Sequence, residues 1–311
     1  MKKRCVVTGV AGFVGSHLAE QLIARGHEVI GIDAFIPYYP RELKEQNLAT
    51  LKALPDFHFE EVDLRNGDLK PLVRGADAVF HLAAMAGLMR SWSEFQLYSS
   101  CNAEATQRLL DAVRDEAVSH LLYISTSSVY GKQATGPEES LLQPFSPYGI
   151  TKLAGEQLCR AYEANYQVPI TILRYFSVYG PRQRPDMAYN ILIRSLLNGA
   201  PFVMYGDGEQ TRSNTYCLDG VEATLLAFEK RDVALGQTFN VGGGEIVSLN
   251  KVCGMLEELL GQKLDIKREP ARPGDQKHTS ANIEKARTLL GYNPSTRLYD
   301  GLKAQIEWQR G

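Results

Sequence analysis

The chain lacks nearly everything that would mark a specialised surface or compartment. It has no run of lysine or arginine, and 34 basic against 36 acidic residues leave a net charge of −2, so there is no electrostatic footprint for nucleic acid. No segment approaches the roughly 20 consecutive apolar residues that span a bilayer. The five cysteines, at 5, 101, 159, 217 and 253, form no Cys-x-x-Cys pair. An odd, scattered set reads as buried reduced thiols of a cytoplasmic protein, not as a disulfide framework. No His/Cys/Asp/Glu spacing suggests a metal site, and there is no internal repeat, low-complexity tract or long linker. Lys2-Lys3-Arg4 before an apolar stretch mimics a signal peptide, but Gly9, Gly12, Gly15 and His17 interrupt that stretch and fit a strand and loop better. What is present is ordinary globular composition, 44% hydrophobic and 23% charged over 311 residues. That length suits one large domain or two modest ones.

Against this plain background two short patterns stand out. Tyr148 and Lys152 lie four residues apart in Ser146-Pro-Tyr-Gly-Ile-Thr-Lys152, so on a helix they share a face, and Pro147 suits a first turn. A phenol with an ordinary pKa of about 10 is a poor base at neutral pH, and a neighbouring ammonium would lower it. The second pattern opens the chain. Cys5-Val-Val7 reads as a buried strand, Thr8-Gly9-Val-Ala-Gly12-Phe-Val-Gly15 as a turn, and residues 16–25 as a helix. Gly9 permits the tight turn, Gly12 lets the backbone approach a pyrophosphate, and Gly15 allows close helix–strand packing, with free helix N–H groups offered to the phosphates. A second strand, Glu28 to Asp33, ends in an acid 18 residues after Gly15, where a ribose-binding carboxylate belongs. Asp33 would repel a 2′-phosphate, and residues 34–40 contain no base, so the cofactor expected is NAD and not NADP.

Further strand-like runs recur at 57–62, 78–83, 120–126 and 168–174, with helical patterns at 102–116 and 148–165 between them. Alternation of this kind predicts an α/β fold with a doubly wound parallel sheet. After Gly180-Pro181 helices are expected near 188–198, 219–230, 248–260, 282–290 and 299–309, and Gln237 to Val241 reads as a strand returning to the main sheet. The expected division is 1–180 for a nucleotide domain, with that returning strand, and 181–311 for a smaller C-terminal α/β substrate domain. Ligands belong in the cleft at the carboxyl ends of the strands. Thr126, at the end of the fifth strand, places a hydroxyl beside the phenol.

The ordered blocks Thr8-Gly-x-x-Gly-Phe-x-Gly15, Asp63-Leu64, His81-Leu-Ala-Ala84, Ser125-Thr-Ser-Ser-Val-Tyr-Gly131, Tyr148-x3-Lys152, Arg174-Tyr-Phe-Ser-Val-Tyr-Gly-Pro181, Asn240-Val-Gly-Gly-Gly244 and Arg272-Pro-Gly-Asp275 together resemble one family. It is the extended short-chain dehydrogenase/reductases, of the NAD-dependent nucleotide-sugar epimerase/dehydratase type, with a Rossmann fold. The resemblance implies that Thr126, Tyr148 and Lys152 are catalytic. It implies a cofactor site lined by Gly9, Gly12, Phe13, Val14, Gly15, Asp33, Asp63 (on the adenine), Leu64, Leu82, Ala83, Ala84, Tyr148, Lys152 and Tyr175. A UDP-sugar as substrate and a homodimer through the 102–116 and 148–165 helices are also implied.

Within that family, sugar 4,6-dehydratases carry Asp-Glu after the threonine, and UDP-glucuronate decarboxylases carry a glutamate before Val-Tyr-Gly. Here those positions are Ser127 and Ser128, which leaves the redox step and points to a 4-epimerase. The run Tyr179-Gly-Pro-Arg-Gln-Arg-Pro-Asp-Met-Ala188 resembles UDP-glucuronate 4-epimerases more than UDP-glucose 4-epimerases. Thr126, Ser127, Ser128 and Ser177 would then donate to a sugar carboxylate and Arg184 would add charge. Arg212 and Arg272 would grip the diphosphate, Asp275 a ribose hydroxyl, and Tyr205 would stack on uracil. UDP-glucose 4-epimerase, UDP-glucuronate decarboxylase and a cofactor-consuming dehydrogenase or reductase stay open. Two departures touch the substrate site: Arg212-Ser-Asn-Thr-Tyr216 in place of Arg-Asp-Phe-Thr-Tyr, and Gly87-Leu-Met89-Arg90, with its arginine one position late. His81, Trp92 and Trp308 read as packing residues.

Overall fold

The computed structural model describes residues 1–271 and 277–311. Its centre is a seven-stranded parallel sheet in the spatial order Thr238–Val241, Ile170–Tyr175, Leu121–Thr126, Ala78–His81, Arg4–Thr8, Glu28–Asp33, Phe57–Glu61. The inner strands read Cys5-Val-Val, Ala78-Val-Phe and Leu121-Leu-Tyr, continuous apolar runs, because helices cover both faces of a parallel sheet. One face packs Leu18, Leu22, Leu48, Phe80 and Phe228, and the other packs Ile32, Leu109, Val113, Tyr123 and Cys159. The chain winds outward from Arg4–Thr8 to Phe57–Glu61, then crosses back to Ala78–His81. That reversal opens a crevice at the carboxyl ends of the two adjoining strands. Register keeps the ends level, with Thr8 opposite both Ile32 and His81, and Thr126 opposite Tyr175.

The helix Pro147–Tyr166 has an N-cap, Ser146, whose hydroxyl accepts from the Gly149 N–H at 3.1 Å, and Pro147 stands at its first position. It ends at Gln167 in the left-handed conformation (φ 54°). Its underside can lie close to the Thr126 strand because residue 155 is glycine: a Cβ there would run into the Tyr123 hydroxyl. The expected 102–116 helix is present as Ala105–Asp115, and the helical run starts earlier, at Phe95–Ser99, joined to it through the π turn Ser100–Glu104. Inside that turn buried Asn102 bonds both the N–H and the C=O of Met85, at 2.8 and 2.9 Å, and the Thr151 hydroxyl at 2.9 Å. The turn thereby ties the loop after His81 to the Tyr148 helix.

Sequence periodicity missed the helix Arg41–Lys52, whose buried side is only Lys44, Asn47, Leu48 and Leu51. The helix expected near 282–290 is present over 284–290, and its last turn, Ala286–Leu290, is a π turn. Thr238–Val241 does rejoin the main sheet, beside Ile170–Tyr175. The C-terminal residues build a second core around Tyr179, Leu192, Leu196, Phe202, Met204, Val252, Leu256, Leu298 and Leu302. Small sheets frame it: Phe202–Tyr205 with Ile266–Glu269, and Thr211–Ser213 between Ile246–Ser248 and His278–Thr279. Trp92 is not a packing residue, being 57% exposed, and Trp308 is at the surface too.

Replacing Gly155 by Ala should cost about 1–3 kcal/mol, as overpacking in a close interface does. It should also lower turnover by pushing Tyr148 and Lys152 off the Thr126 strand. A circular dichroism melt superimposable on that of the unmodified protein would contradict this packing.

Candidate active site

The crevice widens into a cleft of about 1020 Å³ that runs from the Gly9–Gly15 turn to Arg212. This is at the top of the roughly 300–1,000 Å³ usual for one small ligand. At its first end Gly9 has φ +71°, and a Cβ there would stand 2.8 Å from the Ala83 nitrogen, so the turn and the Leu82–Ala84 backbone touch. The helix Phe13–Ala24 starts at Gly12 with no side-chain cap. Its first-turn amides face the cleft without an intrahelical acceptor, which is an anion site in form. Thr8 fixes the opposite wall: its hydroxyl accepts from the Ala83 N–H at 3.1 Å and pairs with the His81 ring at 2.8 Å. The other His81 nitrogen meets Thr106 at 3.0 Å. Burial holds His81 down to about 3, so it is a neutral structural bridge.

Asp33 lies at the bottom of the same end, accepting from the Ala11 and Phe35 N–H groups at 3.1 and 2.9 Å. Burial pushes its carboxyl up, and Lys44 and the two amides oppose that. Lys44 has its ammonium 3.9 Å from Asp33 and donates to the Ile36 carbonyl at 3.2 Å. It belongs to the helix that periodicity missed, so the 34–40 window showed no base where one is in fact close. Asp63 is gripped by Arg65, with contacts of 2.7 to 3.0 Å, which holds its carboxyl below the usual range. Leu64, Phe13 and Val14 line the cleft beside these groups. The uncapped turn, the buried carboxylate and the Asp63 pocket suit a dinucleotide's pyrophosphate, ribose and base.

The middle of the cleft holds Thr126, Tyr148 and Lys152 together. The Thr126 hydroxyl accepts from the Ser128 N–H at 3.2 Å and donates to the Ser128 hydroxyl at 3.3 Å. Lys152 is buried, donates to the Ile124 carbonyl at 2.7 Å, and lies 4.3 Å from the centre of the Tyr123 ring. Burial pushes the Tyr148 phenol up, while the Thr126 hydroxyl and the charge of Arg184 pull it down. The Lys152 ammonium is turned to the strand carbonyl and is itself pushed down, to about 8, by burial. Tyr175 lines the floor, with its hydroxyl bonded to the Gly220 carbonyl and to Thr224, both at 2.6 Å.

Ser127, Ser128, Ser177, Arg184 and Arg212 line the far end. Arg184 is in the cleft, not on the surface, and makes two bonds to Asp186 at 3.0 and 2.9 Å. Tyr38 lies between two guanidinium groups, Arg90 at 4.7 Å and Arg184 at 5.1 Å from its ring, and donates to Asp186 at 3.3 Å. Arg90, one position late in the sequence pattern, is spent on Glu94 at 2.5 Å and on the Tyr38 carbonyl at 3.3 Å. In the other departure Asn214 accepts from Tyr189 and donates to the Glu245 carbonyl at 3.1 Å, so it serves the loop framework. Tyr205 does not line the cleft; its strand pairs with Ile266–Glu269 in a separate two-stranded sheet. Arg272 and Asp275 fall outside the described residues. Among the described residues no cluster of three or more His, Cys, Asp or Glu side chains is placed to hold a metal. Lys44, Tyr38 and Asp186 were missed because their partners are distant or unremarkable in sequence.

Comparison with known proteins agrees with this geometry. Residues 5–242 match the model of the NAD dependent epimerase/dehydratase family. A Bacillus subtilis protein named as an uncharacterized UDP-glucose epimerase, YtcB, is 44% identical over 308 residues, 98% of this chain and 97% of that one. The UDP-glucuronate 4-epimerase of Thermodesulfobacterium geofontis is 36% identical over 98% of this chain and 95% of its own. The crystal structure of UDP-glucuronic acid 4-epimerase from Bacillus cereus, in complex with UDP-glucuronic acid and NAD, superposes with a TM-score of 0.97 at 43% identity, covering 99% of each chain. The uncapped glycine turn, the buried Asp33 and the Thr126–Tyr148–Lys152 cluster are therefore those of a chain that belongs to the NAD-dependent epimerase/dehydratase family.

Proposed function

We propose that the protein is a UDP-sugar 4-epimerase whose substrate pair is UDP-glucuronate and UDP-galacturonate. The observation that carries this reading is the hydroxyl row Thr126, Ser127, Ser128 and Ser177, with Arg184, on the same cleft as Tyr148. No carboxylate stands at 127 or 128. Bound NAD supplies the acceptor, and then the donor, of one hydride at the sugar C4. Residues of the Gly9–Gly15 turn would hold its pyrophosphate, Asp33 a ribose, Asp63 and Leu64 the base, and Leu82–Ala84, Tyr148, Lys152 and Tyr175 the reacting end.

Tyr148, as phenolate, accepts the proton of the sugar O4–H while Thr126 hydrogen-bonds that oxygen. Lys152 and Arg184 place positive charge near the phenolate, and Tyr148 later returns a proton to O4 in the opposite configuration. A 4-keto uronate is a β-keto acid, and it decarboxylates readily if its carboxylate stands perpendicular to the ketone. Hydroxyl donors at 127, 128 and 177 can hold that carboxylate out of such a pose without supplying an acid. The second reading, UDP-glucose 4-epimerase, is favoured by one feature: Arg184 is already paired with Asp186.

The reading assigns residues 1–180 and the Thr238–Val241 strand to the cofactor and mainly 181–311, around the second core, to the nucleotide sugar. It includes a homodimer through the 95–115 and 147–166 helices, supported by exposed Phe95, Ile150 and Tyr166 on those elements. It also includes a cytoplasmic site of action, supported by five buried free thiols.

Incubated without added NAD, the purified protein should turn UDP-glucuronate into UDP-galacturonate with little UDP-pentose. Chromatography showing mainly UDP-xylose or UDP-arabinose would overturn the reading, and turnover of UDP-glucose alone would move it to the second. Tyr148→Phe should leave folding and NAD binding intact while turnover drops by about 10²–10⁴, the usual cost of losing a general base. Asp33→Ala should weaken NAD by about 1.5–3 kcal/mol, and titration of the unmodified protein should show strong preference for NAD over NADP.

A further inference from the structure

Behind the catalytic cluster lies a buried polar network that the mechanism above does not use. Arg174, on the strand Ile170–Tyr175, and Glu156, on the Tyr148 helix, form a forked pair with contacts of 2.8 to 3.3 Å, and their side chains are 5% and 3% exposed. Glu156 also accepts a hydrogen bond from Ser125. Arg174 donates to the Tyr130 hydroxyl and to the Glu138 carbonyl, both at 2.8 Å. Tyr130 in turn donates to Asn240 at 2.7 Å, and the Asn240 N–H donates to Glu138 at 2.7 Å. Ser125 immediately precedes Thr126, and Tyr130 closes the 3₁₀ turn Ser127–Tyr130. Glu156 is one helical turn from Lys152 and two from Tyr148.

We propose that the Arg174–Glu156 pair is the positioning device of this active site. It grips both ends of the Thr126–Ser128 segment and ties that segment to the helix carrying Tyr148 and Lys152. The proposal rests on the epimerase reading for what is positioned, but not for the clamp itself. Alternation along a strand directs Ser125 away from the face that Thr126 presents to the cleft, so Ser125 is free to reach the helix. A buried ion pair adds little net stability over a well-packed apolar pair, so its worth here is fixed geometry. In a site of this kind a displacement of about 1 Å costs about 10²-fold in rate.

Charge follows geometry. Groups facing the Lys152 ammonium are Glu156 and Cys159 on its own helix, Tyr123 on the Thr126 strand and His81 on the next strand. Burial keeps His81 neutral and holds the Cys159 thiol and the Tyr123 phenol protonated. Glu156 is thus the carboxylate that keeps Lys152 charged against its burial. Losing it moves the Lys152 midpoint to lower pH, and the falling limb of the pH–rate profile moves with it.

The experiment compares Ser125→Ala, Glu156→Gln and the double variant Glu156→Gln/Arg174→Met in the NAD-loaded protein. Thermal midpoint, kcat, KM and the Lys152 titration, read by NMR on ¹³C-lysine protein, are measured for each. Ser125→Ala should fold normally and lose about 10- to 100-fold in kcat with KM little changed. Glu156→Gln should melt earlier and titrate Lys152 at lower pH. The double variant, free of the unpaired buried charge, should regain the thermal midpoint but neither kcat nor the Lys152 midpoint. Recovery of kcat together with the melt, or unchanged kcat in Ser125→Ala, would reduce the pair to scaffolding and overturn the proposal. If the unmodified protein converts no UDP-sugar, the epimerase reading fails alone. The Lys152 titration then decides the clamp: a midpoint unmoved in Glu156→Gln overturns it, and a lowered one supports it.

Discussion

How near the Tyr148 helix can come to the Thr126 strand governs the rest of the site. A phenol, a lysine and a threonine hydroxyl must share a few ångströms of space although Thr126 lies on a strand and the other two on a helix. Gly155 sets the approach by leaving room for the Tyr123 hydroxyl, and the Ser146 cap fixes where the helix begins. Lys152 then reaches the Ile124 carbonyl, a contact that a helix standing further off would not allow. The parallel register extends the same alignment across the sheet, so Thr8, Asp33, His81, Thr126 and Tyr175 all arrive at one edge. A binding cleft at that edge follows from the reversal of winding and needs no further device.

Burial dominates the electrostatics of this cleft. It pushes Tyr148 and Asp33 up and Lys152 and His81 down, each toward its neutral form. The useful charges are those with a local partner that resists this. Asp33 has two amides and Lys44, Lys152 has Glu156, and Tyr148 has Thr126 and Arg184. Arg184, reaching in from the C-terminal half, adds a positive charge that the phenol feels.

The main-sheet strands and the glycine turn were legible in the sequence because parallel strands buried on both faces must be unbroken apolar runs, and a pyrophosphate turn must be nearly free of side chains. Tyr148 and Lys152 were legible because helical spacing is local information. The failures share a cause of the opposite kind. Lys44 sits on a polar helix with a narrow buried stripe, and its importance comes only from proximity to Asp33. Asp186 and Tyr38 matter through Arg184, whose contact with Tyr38 joins segments nearly 150 residues apart. A Tyr-Gly-Asp-Gly turn such as that of Tyr205 looks the same in sequence whether it faces a ligand or closes a small sheet. The Ser125–Glu156–Arg174 network was invisible for the same reason, since strand, helix and strand contribute one residue each.

The central claim is that one hydride leaves C4 of the sugar and returns to the same carbon within a single cleft. UDP-glucuronate carrying deuterium at C4 tests it most directly, incubated with the protein in ordinary water without added NAD and followed by mass spectrometry and proton NMR. The account predicts UDP-galacturonate with deuterium retained at C4, because the phenol of Tyr148 exchanges only the proton on oxygen. UDP-galacturonate that has lost its deuterium to solvent would mean inversion by proton abstraction at carbon, and would contradict the account.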